Sequence, residues 1–350
     1  MLNYNFSNKI TLILEDDNEK LNYIHSIIQE KFNFIKNDLL LISENIDLII
    51  YLTNGTNYSY TNFVNLLLLH TRSLKIYDQL RFINDSGNEI IRINYNGSNQ
   101  DSYIEPNQYL QNTVNSNYFN NTMMLSKGKI FVSNIDLSVE NNSFEIPYVP
   151  TVRFATPIID SFGNKKGILI FNYLGEDIFN YFNLIKQNSK LNAFYLLNSD
   201  SYYIQSPNTS QEYGNMLKTN ITFQRDNPTI WNNIQKDKNG SISKSNTIYQ
   251  FYTFSVVDSL FFNYSGPNYW WIAVIFYNKA YISSLYSETQ NSLFNVLLNY
   301  NILFVIVGAL ITYNVTKRHF KDIERRILEK KQNKINRFRK CYFYNNYPTD

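Results

Sequence analysis

Residues 77–96 read YDQLRFINDSGNEIIRINYN, and this stretch decides the fold class. Apolar and aromatic residues on both sides of an Asp-Ser-Gly-Asn turn at 85–88 predict the two antiparallel strands of a β-hairpin. Each predicted strand also carries an arginine, Arg81 in the first and Arg92 in the second. A charged side chain inside a hairpin indicates either a solvent-exposed sheet face or a pocket that binds an anion, and both interpretations are open at this point.

The composition is that of a globular chain without a metal, disulfide or nucleic-acid signature. Its 350 residues are 44% hydrophobic and 16% aromatic, which is enough for two domains with buried cores. The net charge of +3 is too small to indicate nucleic-acid binding, and a single cysteine, Cys341, excludes a disulfide framework. The three histidines stand at no metal-ligand spacing, and neither a GxSxG motif nor a Walker loop occurs. We therefore expect no cofactor, no metal and no catalysis.

The pattern of apolar residues predicts helices first and strands afterwards. Apolar residues recur every three or four positions over 15–52, which predicts a long amphipathic helix, and a second helix is predicted at about 61–74. The chain then alternates strand-like runs with turn residues. The same order of hairpin, insert, closing strands and exit helix repeats after residue 190. This order predicts an α+β fold with two similar modules.

Residues 293–315, LFNVLLNYNILFVIVGALITYNV, predict a transmembrane helix. At about 1.5 Å per residue the helix reaches roughly 35 Å, more than the hydrocarbon core of about 30 Å. Eleven lysines and arginines against three carboxylates follow between 317 and 340, as is typical of the cytoplasmic side. This pattern places residues 1–292 outside a bacterial inner (plasma) membrane and residues 316–350 in the cytoplasm. A buried core helix of a soluble domain is the alternative.

Several sequence blocks occur in a recognisable order. They are YDQLRFINDSGNEIIRINYN, YLQNTVNSNYFNNT, GKIFVSNIDLSVENNSFEIPYVPTVRFATPIID and GILIFNYLG, followed by LNAFYLLNSDSYYIQSP and YQFYTF. The first four together resemble the membrane-distal module of double-Cache sensory domains, and the last two are similar to parts of the second, membrane-proximal module. Such domains belong to bacterial histidine kinases, diguanylate cyclases and chemoreceptors. The resemblance covers about residues 15–290.

The resemblance implies a long N-terminal helix and two PAS-like antiparallel-sheet modules of five or six strands, followed by one transmembrane helix. The predicted organisation is an N-terminal helical segment at 1–76, a membrane-distal Cache module at 77–180, a membrane-proximal module at 181–292, the transmembrane helix at 293–315 and a basic cytoplasmic tail at 316–350. No export signal follows Met1 and no output domain follows the tail. We therefore expect a receptor truncated at both ends.

The implied function is an extracytoplasmic small-molecule sensor that passes ligand binding across the membrane to a cytoplasmic output domain absent from this chain. The expected partners are a small molecule, anionic or amino-acid-like, the membrane and a second copy of the chain in a homodimer. No nucleic acid is expected. An orphan membrane-anchored binding or adhesion protein without signalling output is the first alternative, and an exported hydrolase is the second.

Seven residues are candidates for ligand contact in the membrane-distal module. Arg81, Arg92 and Arg153 lie on predicted strands, where a guanidinium could hold a carboxylate or phosphate through two hydrogen bonds. The structural alternative is that these arginines pair with Glu89, Asp136 or Glu145 and brace the sheet. The remaining candidates are Tyr118 and Phe119 in the irregular insert, and Ser133 and Asp136 at the rim of the pocket.

Overall fold

The computed structural model describes residues 2–140, 143–160, 162–187, 193–255 and 270–346. Three helices come first, two larger antiparallel sheets follow, and a long helix ends the described chain. Asn8–Ser283 form one compact unit that contains both larger sheets, and Met1–Ser7 with Ser284–Asp350 form another. The predicted α+β class, with a long N-terminal helix and two sheet modules, is confirmed.

The N-terminal helices are α1 (Leu2–Ser43), α2 (Ile46–Asn54) and α3 (Asn57–Leu74). The helix predicted over 15–52 therefore begins earlier and is interrupted near residue 45. The side-chain oxygen of Asn45 accepts the backbone N–H groups of Asp47 and Leu48 at 2.9 and 3.2 Å, so it caps a new helix. Periodicity continues across this break, which is why the apolar pattern alone did not show it.

The first sheet has six antiparallel strands, all within residues 77–180. They are β1 (Tyr77–Asn84), β2 (Glu89–Asn96), β3 (Asp101–Ile104), β4 (Phe131–Leu137), β7 (Pro150–Ile159) and β8 (Lys165–Leu174), in the spatial order β3-β2-β1-β8-β7-β4. The short strands β5 (Val139–Glu140) and β6 (Ser143–Phe144) pair separately. The helix α4 (Asn117–Met123) precedes β4, and α5 (Gly175–Tyr181) and α6 (Asn183–Lys186) follow β8.

The second sheet repeats this plan with five strands. They are β9 (Ala193–Asn198), β10 (Tyr203–Gln205), β11 (Gly240–Lys244), β12 (Thr247–Ser255) and β13 (Trp270–Tyr277), in the spatial order β10-β9-β13-β12-β11. The helices α7 (Phe223–Asp226) and α8 (Pro228–Asp237) lie between β10 and β11 in the chain. In both sheets the opening hairpin lies beside the last strand in space. In the chain, an insert follows that hairpin and precedes the closing strands. We refer to the two halves as the first module and the second module.

The core of both modules meets at α1. Phe32 is completely buried, and the centroid of its ring lies 5.0 Å from that of Phe154 and 6.3 Å from that of Tyr173 in the first sheet. The same ring lies 6.1 Å from Trp271 in the second sheet, edge to face. One side chain of α1 therefore packs on both modules.

One face of the first sheet has a polar end that is largely buried. Residues directly opposite each other in an antiparallel pair point to the same side of the sheet. Arg81 lies opposite Arg92, Arg153 lies opposite Asn172, and Gln79 also lies opposite Asn172. The register therefore places the three candidate arginines on one face.

A β-bulge brings Glu89 to that same face. Simple alternation along β2 would place the side chain of Glu89 on the other face of the sheet from that of Arg92. In the structure the pairing shifts after Phe82, so that Phe82 lies opposite Ile91 while Ile83 lies opposite Glu89. The extra residue in β2 turns the Glu89 carboxylate towards the arginines.

Asp17 on α1 is a buried carboxyl that accepts a hydrogen bond from the hydroxyl of Tyr277. Burial raises the pKa of Asp17, although the bond from Tyr277 and the charge of Lys20 act in the opposite direction. The folded protein therefore keeps this proton to a higher pH than the unfolded chain does. Asp17 therefore makes the free energy of unfolding depend on pH. The free energy falls as the pH rises from about 3.8, the ordinary pKa, through the raised pKa of the folded protein.

The Asp17→Asn substitution is expected to remove this pH dependence and to raise the melting temperature at neutral pH. The amide oxygen still accepts the hydrogen bond from Tyr277, but no buried charge has to form. Thermal unfolding of the detergent-solubilised chain, followed by circular dichroism from about pH 4 to 8, measures the effect. Asp16→Asn, at the neighbouring exposed carboxylate, is the control. Equal pH profiles for wild type and Asp17→Asn would show that Asp17 is ionised at no cost.

The C-terminal helix is α9 (Lys279–Asn346). Among the described residues, the part of α9 over Lys279–Lys340 is the only candidate membrane span by length and composition. Its apolar side chains between 294 and 315 are exposed. Within the same unit, the ring of Phe6 packs edge to face on that of Tyr286 at 5.2 Å.

Candidate ligand-binding site

A cavity of about 540 Å³ lies on the polar face of the first sheet. Residues 111–118 contribute one side, the end of β4 contributes another, and Met216 comes from the second module. The lining residues are Gln79, Arg81, Gln111, Asn112, Thr113, Asn115, Ser116, Asn117, Tyr118, Asp136, Leu137, Ser138, Val139, Arg153, Asn172 and Met216. Two guanidiniums and one carboxylate make the lining predominantly polar and positive.

Arg81 is held by partners on three elements. Its Nη1 donates to Glu89 at 3.1 Å and to the Tyr118 hydroxyl at 3.4 Å, and its Nη2 donates to the Asn172 side chain at 3.1 Å. Burial alone lowers the pKa of Arg81, but the electrostatic interactions and hydrogen bonds with Tyr118 and Glu89 outweigh it and raise the pKa above its usual value. Arg81 is therefore a permanent, buried positive charge.

Arg153 is the second buried cation. Its Nη1 donates to Asp136 at 3.1 Å, and its backbone N–H donates to the Ser133 hydroxyl at 3.0 Å. Burial lowers the pKa of Arg153, Asp136 acts against this, and the nearby charge of Arg81 lowers it further. Burial likewise raises the pKa of Asp136 while Arg153 opposes the rise. The pair therefore balances one cation with one carboxylate at the rim of the cavity.

Tyr118 covers both arginines. The guanidinium carbons of Arg81 and Arg153 lie 5.4 and 5.6 Å from the centroid of its ring, within cation–π range. Burial raises the pKa of Tyr118, but the charge of Arg81, with smaller help from Arg153, makes the net change a lowering. The phenol is therefore a hydrogen-bonding group whose electrostatic environment is positive.

Backbone bonds attach the covering segment, residues 111–118, to the β1–β2 turn. Glu89 and Gln111 are joined twice, since Gln111 donates to the Glu89 carboxylate at 3.0 Å and Glu89 donates to the Gln111 carbonyl at 2.9 Å. Thr113 donates to the Gly87 carbonyl at 2.7 Å. Gly87 has φ +81°, and a Cβ there would lie 2.6 Å from that of Val114, so the turn requires glycine.

The structure brings four of the seven candidate residues to the cavity, namely Arg81, Tyr118, Asp136 and Arg153. The other three are not part of its lining. Arg92 donates to Asn94 at 3.1 Å and pairs with Glu89 at 3.6 Å. Phe119 packs in an apolar cluster with Ile170, and the Ser133 hydroxyl donates to the Asn134 carbonyl at 2.6 Å.

Sequence reasoning missed three kinds of lining residue. Gln79 is two positions before Arg81 and shares its face, so strand alternation could have found it. Asn172 is an amide inside the apolar strand GILIFNYLG, which is also a usable signal. Met216 carries no signal, because only the packing of the two modules brings it to the cavity.

Two donors at the cavity lack a partner. The Nε atoms of Arg81 and Arg153 are buried and have no hydrogen-bond partner within the described part of the chain. A buried unpaired N–H costs about 1–3 kcal/mol, so a small movement of either guanidinium towards an acceptor on a ligand would recover that cost. In the same described part, no group of three metal-ligating residues is positioned to hold a metal.

The corresponding face of the second module is filled. The insert helices α7 and α8 place Phe223 and Trp231 against the sheet, where Leu197, Phe251 and Val274 complete an apolar cluster. In the first module the same side carries arginines, amides and a cavity. The two modules therefore share a fold, and the cavity described above belongs to the first.

The fold and the cavity define a sensory domain of the two-module, PAS-like kind. A family model for the bacterial histidine kinase sensor domain matches residues 13–262. The chain belongs to this family, and the predicted resemblance is confirmed. No curated protein matches the sequence significantly.

Several solved structures share this fold. A domain of a sensory box/GGDEF family protein from Vibrio parahaemolyticus is 21% identical, with a TM-score of 0.65, and the match covers 80% of this chain and 99% of that one. The extracellular domain of a protein described as a histidine kinase, vpHK1S-Z8, is 20% identical with a TM-score of 0.65 and coverages of 80% and 95%. The ligand-binding domain of the Campylobacter jejuni chemoreceptor Tlp3, solved with L-valine, is 12% identical with a TM-score of 0.53 and coverages of 80% and 98%.

The chain is thus a sensor domain of the bacterial histidine kinase family. Together with the candidate span in α9, the family indicates a membrane-anchored protein. These statements confirm the predicted function at the level of the sensor.

Proposed function

We propose that the cavity of the first module binds a small molecule with a carboxylate group, and that an amino acid is the preferred class. The observation that carries this proposal is the pair of buried guanidiniums, Arg81 and Arg153, each with an unpaired Nε at a polar cavity. A guanidinium presents several donors in one plane, which suits the two oxygens of a carboxylate.

The size and polarity of the cavity support this ligand class. Its volume of about 540 Å³ is ample for an amino acid or a small organic acid. Asp136 at the rim can accept from an ammonium group. The Campylobacter chemoreceptor structures hold L-valine, isoleucine and L-norvaline, which are ligands of that protein and make amino acids the first class to test here.

Bracing and ligand contact are compatible roles for these arginines. Glu89 does not line the cavity, but it pairs with both Arg81 and Arg92 on the same face of the sheet. The three buried arginines share two carboxylates, Glu89 and Asp136, in their direct ion pairs, which leaves one positive charge in excess among these groups for an anionic ligand. Arg92 braces, whereas Arg81 and Arg153 both brace and bind.

We also propose the arrangement in the cell. Residues 1–292 lie outside a bacterial inner membrane and residues 316–350 lie in the cytoplasm, because the basic cluster follows the apolar segment. The protein acts as a homodimer, without catalysis of its own, and signals to an output domain. Ligand binding shifts a two-state equilibrium of the first module that the second module and α9 pass on.

Arg153→Ala is expected to weaken ligand binding by about 30-fold or more, because loss of one partner of a buried charged hydrogen bond costs about 2–5 kcal/mol. The detergent-solubilised full chain is screened by thermal shift against L-amino acids, organic acids and amines. Hits are then titrated calorimetrically with wild type and variant. Arg225→Ala removes an exposed arginine of the second module and is expected to leave the affinity unchanged.

Two results would contradict the proposal. A ligand that stabilises wild type and Arg153→Ala equally would show that it binds elsewhere. A screen in which only amines without a carboxylate stabilise the protein would show that the arginines do not select the ligand.

Protection of residues 15–290 from protease in spheroplasts would reverse the proposed orientation.

A further inference from the structure

We infer that the second module completes the ligand site through Met216, which makes the site selective for a carboxylic acid with an aliphatic substituent. The inference rests on the proposed function of the cavity. It adds a specificity-determining residue that is far from the other lining residues in sequence. It also specifies the group at the end of the ligand away from the carboxylate, which is an aliphatic substituent.

Met216 touches the first module through an unusual hydrogen bond. The backbone N–H of Leu137, at the end of β4, donates to the Met216 sulfur at 2.9 Å. β4 is an edge strand, so the backbone groups on its outer side have no neighbouring strand to accept or donate a hydrogen bond. Leu137 is completely buried, so its N–H needs a partner, and the thioether supplies it. The contact is therefore required by the backbone of β4.

The same residue of β4 is linked to the ligand-binding charges. The Leu137 carbonyl accepts from Nη2 of Arg153 at 3.5 Å, and the preceding residue, Asp136, pairs with Nη1 of that arginine. Met216 is thus one backbone unit away from the proposed carboxylate site. A ligand that draws Arg153 towards its carboxylate changes the environment of Met216.

Met216 also gives the cavity an apolar corner. Apart from Tyr118, the large lining residues whose side chains carry no charge or amide on this side are Val139 and Met216. Leu137 lies opposite Pro150, so its side chain points to the other face of the sheet from Arg153 and only its backbone borders the cavity. An unbranched, polarisable thioether adapts its shape to aliphatic groups. A ligand with its carboxylate on the arginines can place a non-polar substituent in this corner, and a ligand without that substituent leaves the corner to water.

The segment that carries Met216 is bonded directly to the second sheet. Met216 donates its N–H to the Tyr213 carbonyl at 3.0 Å, and Tyr213 donates to the Tyr203 carbonyl of β10 at 2.8 Å. The ring of Tyr213 also lies 6.5 Å from that of Tyr148 in the first module. A ligand that displaces Met216 therefore acts on β10 without an intermediate element.

Cysteine labelling tests the position of Met216 without a known ligand. In a Cys341→Ser background the chain has no other cysteine, so Met216→Cys gives a single thiol. Sulfonatoethyl methanethiosulfonate is an anion and trimethylammonium-ethyl methanethiosulfonate is a cation. For each variant, the labelling rate of the anion is divided by that of the cation. This quotient is expected to be about tenfold or more higher at position 216 than at the exposed control Met124→Cys. The added substitution Arg153→Gln is expected to reduce that preference.

Val139→Cys places the thiol at the same corner from the first module, in case Met216→Cys fails to fold. An anion preference there, reduced by Arg153→Gln, is also expected. No preference at either position, or a preference that Arg153→Gln leaves unchanged, would overturn the inference.

A ligand arm tests selectivity with L-valine and glycine, which differ only in the isopropyl group. L-Valine is expected to raise the melting temperature of the full chain more than glycine does. Met216→Ala should remove the difference and Met216→Leu should keep it. Equal shifts in wild type, including no shift with either, would overturn the aliphatic selectivity.

The two proposals fail in different ways. Ligand binding that depends on Arg153 but not on Met216, with no anion preference at position 216, refutes the inference and leaves the proposed function intact. An anion preference at position 216, together with a ligand screen without hits, supports the cavity geometry and refutes the proposed function.

Discussion

Glu89→Ala is expected to lower the free energy of unfolding of the first module by about 3–5 kcal/mol, the usual cost of removing one partner from a buried ion pair. The Glu89 side chain is 1% exposed and lies 3.1 Å from Arg81 and 3.6 Å from Arg92. Both guanidiniums are less than a tenth exposed, so each would keep a charge that water cannot solvate. Gln111 would lose its acceptor as well. Chemical denaturation of the detergent-solubilised chain, followed by circular dichroism, measures the loss.

Glu44→Ala is the matched control. Glu44 pairs with Lys127 at the same distance of 3.1 Å, but the two side chains are 54% and 60% exposed. Water replaces such a partner, and the expected loss is about 0–1 kcal/mol. Glu89→Gln keeps a hydrogen-bond acceptor without the charge and should fall between the two. Equal losses for Glu89→Ala and Glu44→Ala would show that Glu89 does not brace the arginines.

The position of Glu89 also shows where sequence reasoning about the strands ends. Alternation predicts the faces within one strand only, and the pairing of β1 with β2 places Arg81 opposite Arg92 on one face. Alternation misplaced Glu89, because one extra residue in a strand reverses the face of everything beyond it. A bulge depends on how two strands pair, and the pattern of one strand contains little information about it.

The candidate site was predictable to a similar degree. Arg81, Arg153, Asp136 and Tyr118 stand out in sequence because charged or phenolic groups interrupt apolar strands or follow a turn. Phe119, next to Tyr118, faces the core instead, since neighbouring positions on the short helix α4 point in different directions. Met216 is about 80 residues from Leu137 in sequence, and only the packing of the modules reveals their contact.

The repeated order of elements predicted two similar modules, and the two sheets share their strand order. It did not predict their difference in content. In the second module Trp231 and Phe223 occupy the face that is polar in the first. The apolar residues of YQFYTF and YWWIAVIFYNKA are consistent with a covered face. However, a strand that is buried on both faces has the same apolar sequence pattern whether a helix or another sheet covers it.

Phe32→Ala is expected to be the most destabilising substitution on α1, at about 3–5 kcal/mol. The ring is completely buried and packs on Phe154 in one module and Trp271 in the other. Its removal leaves a cavity where both sheets meet the helix. Because the two modules share this contact, the loss should appear in both of them and not in one alone.

The chain offers separate reporters for the two modules. All three tryptophans, Trp231, Trp270 and Trp271, are in the second module, so their fluorescence follows its unfolding. Hydrogen exchange at the amides of β1 and β8 follows the first module. In Phe32→Ala the tryptophan transition should shift to lower temperature, and protection in β1 and β8 should fall by a similar free energy.

Phe34→Ala is the control, since Phe34 is two positions away on the same helix and 46% exposed. It should change both readouts by less than about 0.5 kcal/mol. A fall in the tryptophan transition with unchanged exchange in β1 and β8 would mean that α1 supports only the second module. Coupled losses would make α1 a shared structural support, so that a ligand that moves the first sheet must also act on a helix that the second sheet requires.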